Sequence, residues 1–316
     1  MISSFSLKRR VTPMTSFLGT AAILAGCTIG VPADREGQRV SSGISSVTIT
    51  SSAVLDSANP TVASETVEPT ESVIENPLTD DIAGQLQLAV AETVSLYGGS
   101  AGIALSDGDM TVSAGDVSPA ASWSTIKVPI AIAALREDPS QRENVVAAIQ
   151  WSDNSAAQRL WESLGDPEQA GAATRNVLTE GGVQIPVNTV VTRDDFSSFG
   201  QTKWSVSDQA RFAANVECIY GSEPVLEDMM MIDPSQSWGI GGLPQAQFKG
   251  GWGPEPDGSY TARQFGLTKD LTTGQTRAVA IIVRPEAGSF KDAQSMSNEL
   301  ISKVQSMLPQ MPATSC

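Results

Sequence analysis

The stretch SWSTIKVP, residues 122–129, is the most informative part of this chain about its expected chemistry. The apolar run IAIAAL, residues 130–135, follows directly, so the pattern predicts a turn that enters a helix. Ser124 then lies at the helix start, where free backbone N–H groups and the helix dipole favour developing negative charge. Lys127 follows three residues later on the same helix face, and its amine is expected to reach the Ser124 oxygen.

Histidine is absent from all 316 residues, which excludes a Ser-His-Asp triad, a His-ligated zinc site and a histidine base. The group that activates Ser124 must therefore be something else. Lys127 can act as a base only while its amine is neutral, and burial together with a second nearby cation would lower its pKa. The stretch thus predicts a serine nucleophile with a lysine base. The ordinary alternative is a helix-capping serine beside a solvated lysine.

Two further elements lie downstream of this stretch. Ser152-Asp153-Asn154 begins the segment SDNSAAQRLWESLG, whose pattern is helical over residues 155–164. Lys249-Gly250-Gly251 lies on a predicted strand, where the missing side chains would let an extended substrate pair with the strand edge. Taken singly, the first is also typical of a capped helix and the second of a bulge.

In this order, the elements S-x-x-K, S-D-N and K-G-G resemble the motifs of the penicilloyl-serine superfamily. That superfamily comprises class A β-lactamases, penicillin-binding proteins and DD-peptidases. The resemblance implies that Ser124 attacks a carbonyl and is acylated, while Lys127 accepts its proton. It also implies that Ser152 relays a proton to the leaving nitrogen, and that Asp153 is structural.

The same resemblance assigns the substrate-binding residues. Asn154 would hydrogen-bond the substrate amide, and Lys249 would attract the substrate carboxylate and assist Ser152. The oxyanion would lie between the backbone N–H groups of Ser124 and Trp252, whose fixed dipoles would stabilise it. The resemblance covers residues 82–308, from the first predicted helix to the last.

The sequence departs from the superfamily pattern at the third element. Gly250 stands where a threonine is usual, and Trp252 stands where a hydroxyl residue is expected. Arg263, on the following predicted strand, is the candidate for a replacement carboxylate fork, although strand arginines are more often simply exposed. Only 28 positions separate Ser124 from Ser152, so the helical insertion is short and an open cleft is expected.

Deacylation is expected to be slow. Class A β-lactamases use a glutamate-activated water held on a loop between the second and third motifs, and the corresponding residues 192–204 contain no Glu. Asp194 and Asp195 are the acids there, and we expect both to be structural.

Three functions remain open. The first is an acyl-serine hydrolase or transferase of the cell envelope that acts on peptide or β-lactam amides, including peptidoglycan peptides. The second is a β-lactamase with an unconventional deacylating group. The third is a catalytically inactive lipoprotein that uses the same fold for binding.

The order of the predicted elements indicates the fold class. A helix over residues 82–97 precedes strands at Ala101–Leu105 and Met110–Ser113, which flank the hairpin signal Asp107-Gly108. Helical patterns follow over residues 124–178 and 207–220, then strands at 247–251, 259–267 and 277–283, and a helix over 290–307. Sheet halves separated by a helical insertion predict an α+β fold with three layers, an antiparallel sheet of about five strands and a shortened all-helical subdomain.

The N-terminal region is predicted to direct export. Residues 1–26 carry three bases, no acid and an apolar run, and Leu24-Ala25-Gly26-Cys27 resembles a bacterial lipobox. We therefore expect lipidation of Cys27 after removal of residues 1–26, anchorage to the outer face of the cell membrane, and a disordered Ser/Thr-rich linker over 27–79. The hydrolase domain is predicted over residues 80–316.

Net charge and cysteine content limit the partners and the disulfides that can be expected. Removing residues 1–26 takes away three bases and no acid, which changes the formal net charge from −15 to −18. This acid excess disfavours nucleic acid. Cys218 and Cys316 remain for a disulfide, the alternative being two free thiols. No metal or cofactor is expected, and we expect a monomer that binds a small-molecule or peptide substrate.

Overall fold

The computed structural model describes residues 77–316. The predicted signal segment, the lipidation of Cys27 and the linker up to residue 76 lie outside the described residues. The first helix begins at Pro77, slightly before the predicted start of the domain at residue 80.

The described residues form eight α-helices and seven strands, besides short 3-10 turns. The helices are α1 (Pro77–Tyr97), α2 (Lys127–Glu137), α3 (Arg142–Gln150), α4 (Asn154–Ser163), α5 (Pro167–Glu180), α6 (Val206–Asn215), α7 (Glu223–Met229) and α8 (Phe290–Val304). The strands are β1 (Ser100–Ser106), β2 (Thr111–Gly115), β3 (Ala120–Ala121), β4 (Lys203–Trp204), β5 (Gln247–Pro254), β6 (Tyr260–Lys269) and β7 (Thr276–Arg284).

Five strands form one antiparallel sheet in the order β2-β1-β7-β6-β5, and β3 pairs with β4 in a separate ribbon. The hairpin signal produces the expected turn, because Asp107 Oδ1 accepts hydrogen bonds from the backbone N–H groups of Asp109 and Met110. Gly108 takes a φ of 109°, a value that few other residues adopt. Leu105 is thereby set opposite Val112.

Helices cover both faces of the sheet, as the contacts of Arg263 and Gln264, neighbours on β6, show. Because successive side chains of a strand point to opposite faces of the sheet, these two side chains contact different helical layers. Arg263 bonds Gln209 of α6, whereas Gln264 bonds the backbone of Trp238 and Ile240, in a segment that packs against α8. The sheet thus lies between an α6 layer and a layer of α1 and α8, which contact each other.

The predicted fold class is confirmed. The α+β arrangement, the five-stranded antiparallel sheet, the packing by the first and last helices and the short helical subdomain are all present. Only α2 and α3 separate the first and second motifs. The two-residue strands and α7 are the elements that the sequence pattern did not predict, since each is too short to show a hydrophobic period.

Candidate active site

Ser124 lies in a 3-10 turn over Trp123–Ile126 that leads directly into α2. The turn is anchored at Ser122, whose backbone N–H donates to the Thr202 carbonyl at 2.8 Å and whose hydroxyl lies 3.2 Å from the Gly200 carbonyl. Trp123 takes a φ of +50°, a left-handed backbone conformation that is unfavourable for residues other than glycine. The serine therefore follows a strained backbone position held by a distant segment.

Strand β5 runs close beside this turn. A Cβ atom on Gly251 would lie 2.8 Å from the Ser124 nitrogen, and one on Gly253 would lie 2.4 Å from the Trp123 ring. Both positions therefore require glycine in this packing. The approach puts the backbone of the third motif next to the amide of Ser124, as the predicted oxyanion pair with Trp252 requires.

The second motif is built around Ser152, whose φ of +57° turns the chain sharply before α4. Asp153 caps α4 by accepting from the Ala156 N–H, in agreement with its expected structural role. Lys127 crosses to this motif: its Nζ donates to the Ser152 carbonyl at 2.6 Å and to Asn154 Oδ1 at 2.8 Å. One buried lysine therefore joins the first and second motifs.

Two amines converge on the Ser152 hydroxyl. Lys249 Nζ lies 3.0 Å from Ser152 Oγ and also donates to the Gly250 carbonyl at 2.9 Å. Lys127 Nζ lies 3.4 Å from the same Oγ. The side chains of Lys127 and Lys249 are both essentially inaccessible to solvent. The structure thus brings the three motifs together at Ser152.

The expected contact between Lys127 and Ser124 is not formed in this structure. Both residues line one cavity, but among the described contacts no hydrogen bond joins Lys127 Nζ to Ser124 Oγ. The reason is geometric, since carbonyl and amide oxygens of residues 152–154 surround the amine and occupy its donors. The role of Lys127 as base stays a prediction.

Burial lowers the pKa of both lysine amines. Desolvation lowers the pKa of Lys127 to about 7, against the opposing effect of the Asp153 charge, which raises it. Burial also lowers the pKa of Lys249 well below its usual range, and the positive charge of Lys127 adds to that shift. Lys127 is consequently neutral part of the time at physiological pH, as a base must be.

The cavity beside Ser124 has a volume of about 470 Å³. It is lined by Trp123, Ser124, Lys127, Asn154, Ser155, Gln158, Asp195, Phe196, Ser197, Phe199, Gly200 and Trp252. Of the residues predicted for the site, Ser124, Lys127, Asn154 and Trp252 line this cavity. The 192–204 segment contributes Asp195, which was expected to be structural but makes no hydrogen bond or ion pair among the described residues.

Arg263 was predicted as a substrate carboxylate fork, and that prediction is wrong. Its side chain is fully buried, and all five of its N–H groups donate within the protein: to Gln209 Oε1 and to the carbonyls of Ala120, Ala121 and Trp204. Gln209 in turn donates to the Thr125 hydroxyl. Arg263 therefore braces the turn next to Ser124 from behind, which also rules out the exposed alternative. Burial lowers its pKa to about 9.

Several residues of the site were missed by sequence reasoning. Trp123, Phe196 and Phe199 bring aromatic rings to the cavity, and Ser155 and Gln158 bring polar groups. The two polar residues lie one turn apart at the start of α4, so their position just after the second motif was a usable signal. The aromatic residues of the distant 192–204 segment carried none.

The described residues contain the predicted cysteine pair and no recognisable metal site. Cys218 and Cys316 lie close together, with Cα atoms 5.4 Å apart, and their disulfide stays a prediction to be tested chemically. Within residues 77–316, no three His, Cys, Asp or Glu side chains are grouped as metal ligands would be. No helix in that range is both long enough and apolar enough to span a membrane.

Comparison with known proteins identifies the fold. No protein-family model and no curated protein sequence matches the chain. Among solved structures, TLA-3 extended-spectrum β-lactamase is similar with a TM-score of 0.59 at 14% identity, over 72% of this chain and 99% of that one.

Two further solved structures agree. A class A β-lactamase from Bacteroides cellulosilyticus DSM 14838 has a TM-score of 0.57 at 16% identity, over 71% of this chain and 99% of that chain. A β-lactamase from Streptosporangium roseum has a TM-score of 0.55 at 13% identity, over 72% and 100%. The described residues therefore have the fold of class A β-lactamases, and identities this low show the fold alone.

Proposed function

We propose that this protein is an acyl-serine hydrolase or transferase, in which Ser124 attacks the carbonyl of an amide or ester. One observation carries the proposal: the amines of Lys127 and Lys249 converge on Ser152 Oγ, beside the cavity that holds Ser124. Two buried amines with lowered pKa values are suited to accepting and returning a proton. An ordinary solvated lysine would be charged and unable to accept one.

The reaction begins when Ser124 Oγ bonds to the carbonyl carbon and its proton passes to the neutral amine of Lys127. To reach Ser124, that amine exchanges one of its hydrogen bonds to residues 152–154 for the serine hydroxyl. The carbonyl oxygen then carries a negative charge, which the N–H groups of Ser124 and Trp252 stabilise. These preorganised donors act where the charge develops.

Collapse of this intermediate breaks the bond to the leaving nitrogen or oxygen. Ser152 Oγ gives its proton to the leaving atom and takes another from Lys127, whose amine lies 3.4 Å away. The proton taken from Ser124 thus ends on the leaving group, and Lys127 is neutral again. Lys249, 3.0 Å from the same oxygen, holds Ser152 in place for the transfer.

Water or another acceptor must then release the acyl group from Ser124. We propose that hydrolysis is slow, because residues 192–204 offer no glutamate to activate water. A second candidate function, a true β-lactamase, is favoured by Asp195, which lines the cavity and whose carboxylate makes no hydrogen bond or ion pair within residues 77–316. Rapid nitrocefin turnover that disappears in both Ser124→Ala and Asp195→Asn would support it over a slow acyl-enzyme.

The proposal is tested by incubating the protein separately with a fluorescent penicillin and with a neutral p-nitrophenyl ester, followed by intact-mass measurement. We expect a single acyl adduct that maps to Ser124 and is absent from Ser124→Ala. Ser155→Ala is the matched control, since it removes a cavity hydroxyl outside the three motifs and should still be labelled. Folded wild type that takes no adduct from either reagent would refute acyl transfer and leave a binding role.

We also propose, from the sequence, that the protein is exported and anchored by lipid on Cys27, with a linker carrying the domain away from the membrane. The expected consequence is that Cys27→Ser moves the protein from the membrane fraction to the soluble fraction of expressing cells. Labelling with a clickable palmitate analogue should be lost in the same variant. Retention of the label in Cys27→Ser would contradict the assignment.

A further inference from the structure

Aromatic rings cover the face of β5 that bears Gly250 and Trp252. The Trp252 ring stacks on Phe290 with 5.0 Å between centroids. Trp238 meets these two rings edge to face, at 6.2 Å and 6.0 Å. Tyr260 lies 5.6 Å from Phe290. We call Trp238, Trp252, Tyr260 and Phe290 the aromatic wall, and Trp252 is its member in the cavity lining.

The strands behind the wall present no free polar group to the cavity. Gly250 has no side chain, and a Cβ there would lie 3.4 Å from the Trp252 ring. Its partner across the sheet, Gln264, is buried: it donates to the Trp238 carbonyl at 2.9 Å and accepts from the Ile240 N–H at 2.8 Å. The wall lies on the face of β5 opposite to Gly251 and Ser124, and Trp252 is the member that reaches the cavity. A ligand group that passes the edge of β5 at Trp252 therefore meets an indole and no charged donor.

The nearby cations do not lie at Trp252. Lys127 and Lys249 are buried and donate to residues 152–154 and to Gly250. The guanidinium of Arg193 lies over the rings of Phe196 and Trp123, 4.5 Å and 5.7 Å from their centroids, and Arg193 is not part of the cavity lining.

The remaining groups also disfavour an anion. The one acid in the cavity lining, Asp195, is exposed and would repel a ligand carboxylate. A carboxylate placed against the Trp252 ring would lose its water and gain no cation there in exchange.

We propose that the acyl donor for this site is neutral beside the scissile carbonyl, and that it presents an aliphatic or aromatic group to the aromatic wall at Trp252. The chemical class is a neutral ester or amide, in contrast to the carboxylate-bearing donors that the resemblance implied. This inference rests on the proposed acyl transfer to Ser124. It replaces the expectation that Lys249 attracts a substrate carboxylate.

The experiment compares two reagents that differ in one charge and one methyl group: a penicillin and its methyl ester, on wild-type protein at neutral pH. An adduct of the full reagent mass reports opening of the β-lactam, because attack on the methyl ester would expel methanol. The second-order rate of Ser124 acylation is followed by intact mass. We expect the ester to react about ten- to hundredfold faster, the factor associated with a charged group that lacks a partner. Equal rates, or a faster free acid, would overturn the inference while leaving acyl transfer intact.

Variants separate recognition by the wall from general damage. Trp252→Ala keeps the backbone N–H of residue 252 and should reduce the ester-to-acid rate ratio, whereas Trp252→Phe should retain most of it. Tyr220→Ala removes an aromatic ring that is 82% exposed and outside the cavity lining, and it should leave the ratio unchanged.

Two more results test the inference, and a third tests the proposed function. Gly250→Ser restores a hydroxyl to the third motif and should raise the free-acid rate. A Trp252→Ala variant that folds and keeps the wild-type ratio would overturn the assignment of Trp252. Failure of both penicillin reagents and of the neutral p-nitrophenyl ester to label Ser124 in folded wild type would refute the proposed function itself, and this inference with it.

Discussion

Acylation of Ser124 is expected to follow the titration of Lys127, with an inflection near pH 7, because burial lowers the pKa of that lysine to about 7. With this pKa the neutral fraction of the amine is about 0.1 at pH 6 and about 0.9 at pH 8. The rate should therefore rise about tenfold over this interval and then level off. A lysine with its ordinary pKa of about 10.4 would instead give a rate still rising tenfold per unit at about pH 9.

Asp153→Asn sharpens this test. The Asp153 carboxylate raises the pKa of Lys127, so removing the charge should move the inflection to lower pH. The helix start should survive, because asparagine caps helices about as well as aspartate. Asp166→Asn is the matched control: it makes the same exchange at the N-cap of α5, outside the cavity lining, and should leave the profile unchanged.

The assay is single-turnover acylation by a neutral p-nitrophenyl ester in excess, quenched at intervals and read by intact mass from about pH 5 to about pH 10. A neutral ester keeps its own charge constant over this range, so the profile reports the protein alone. A rate that climbs without levelling through about pH 9, or an Asp153→Asn inflection that moves to higher pH, would refute the assignment of Lys127 as base.

Three further outcomes are expected. Arg263→Lys should lower the free energy of unfolding by about 3 kcal/mol in urea titrations, since a single ammonium cannot replace five buried donated bonds, and a loss below about 1 kcal/mol would contradict the bracing role. Gly253→Ala should slow acylation and cost about 1–3 kcal/mol of stability because its Cβ would press into the ring of Trp123, whereas Gly242→Ala, with open space around it, should be near neutral. Thiol alkylation followed by mass measurement should find the Cys218–Cys316 pair unreactive until reduction, and reduction should lower stability by up to about 4–5 kcal/mol; alkylation without reductant would show free thiols.

Much of the fold was predictable because its elements carry local signals. The Asp107-Gly108 turn fixed the first hairpin, and the three late strands appear where alternation and turn residues placed them. The motifs of the site were also visible, since each occupies three or four consecutive residues. Their meeting at Ser152 follows from the fold, and no local pattern records it.

What could not be predicted depends on side chains that lie far apart in sequence. The aromatic wall joins residues 238, 252, 260 and 290, and no periodicity connects a strand tryptophan with the first residue of the last helix. Arg263 was misassigned for a similar reason, because its buried acceptors come from residues 120, 121, 204 and 209. The Lys127 amine bonds to residues 152–154 and not to Ser124, because the oxygens of residues 152–154 accept its hydrogen bonds. The three-residue spacing of Ser124 and Lys127 does not reveal these competing acceptors.

Trp123 and Ser152 share a backbone conformation that L-amino acids disfavour, with φ of +50° and +57°, and each stands inside or next to a motif. Of the three non-glycine residues with positive φ among residues 77–316, two are therefore at the site. Each such residue costs about 1–2 kcal/mol, a penalty that glycine largely avoids. The buried Trp123 ring contributes more through packing than glycine would relieve there, so selection for heat resistance should retain tryptophan at 123 despite its strained backbone.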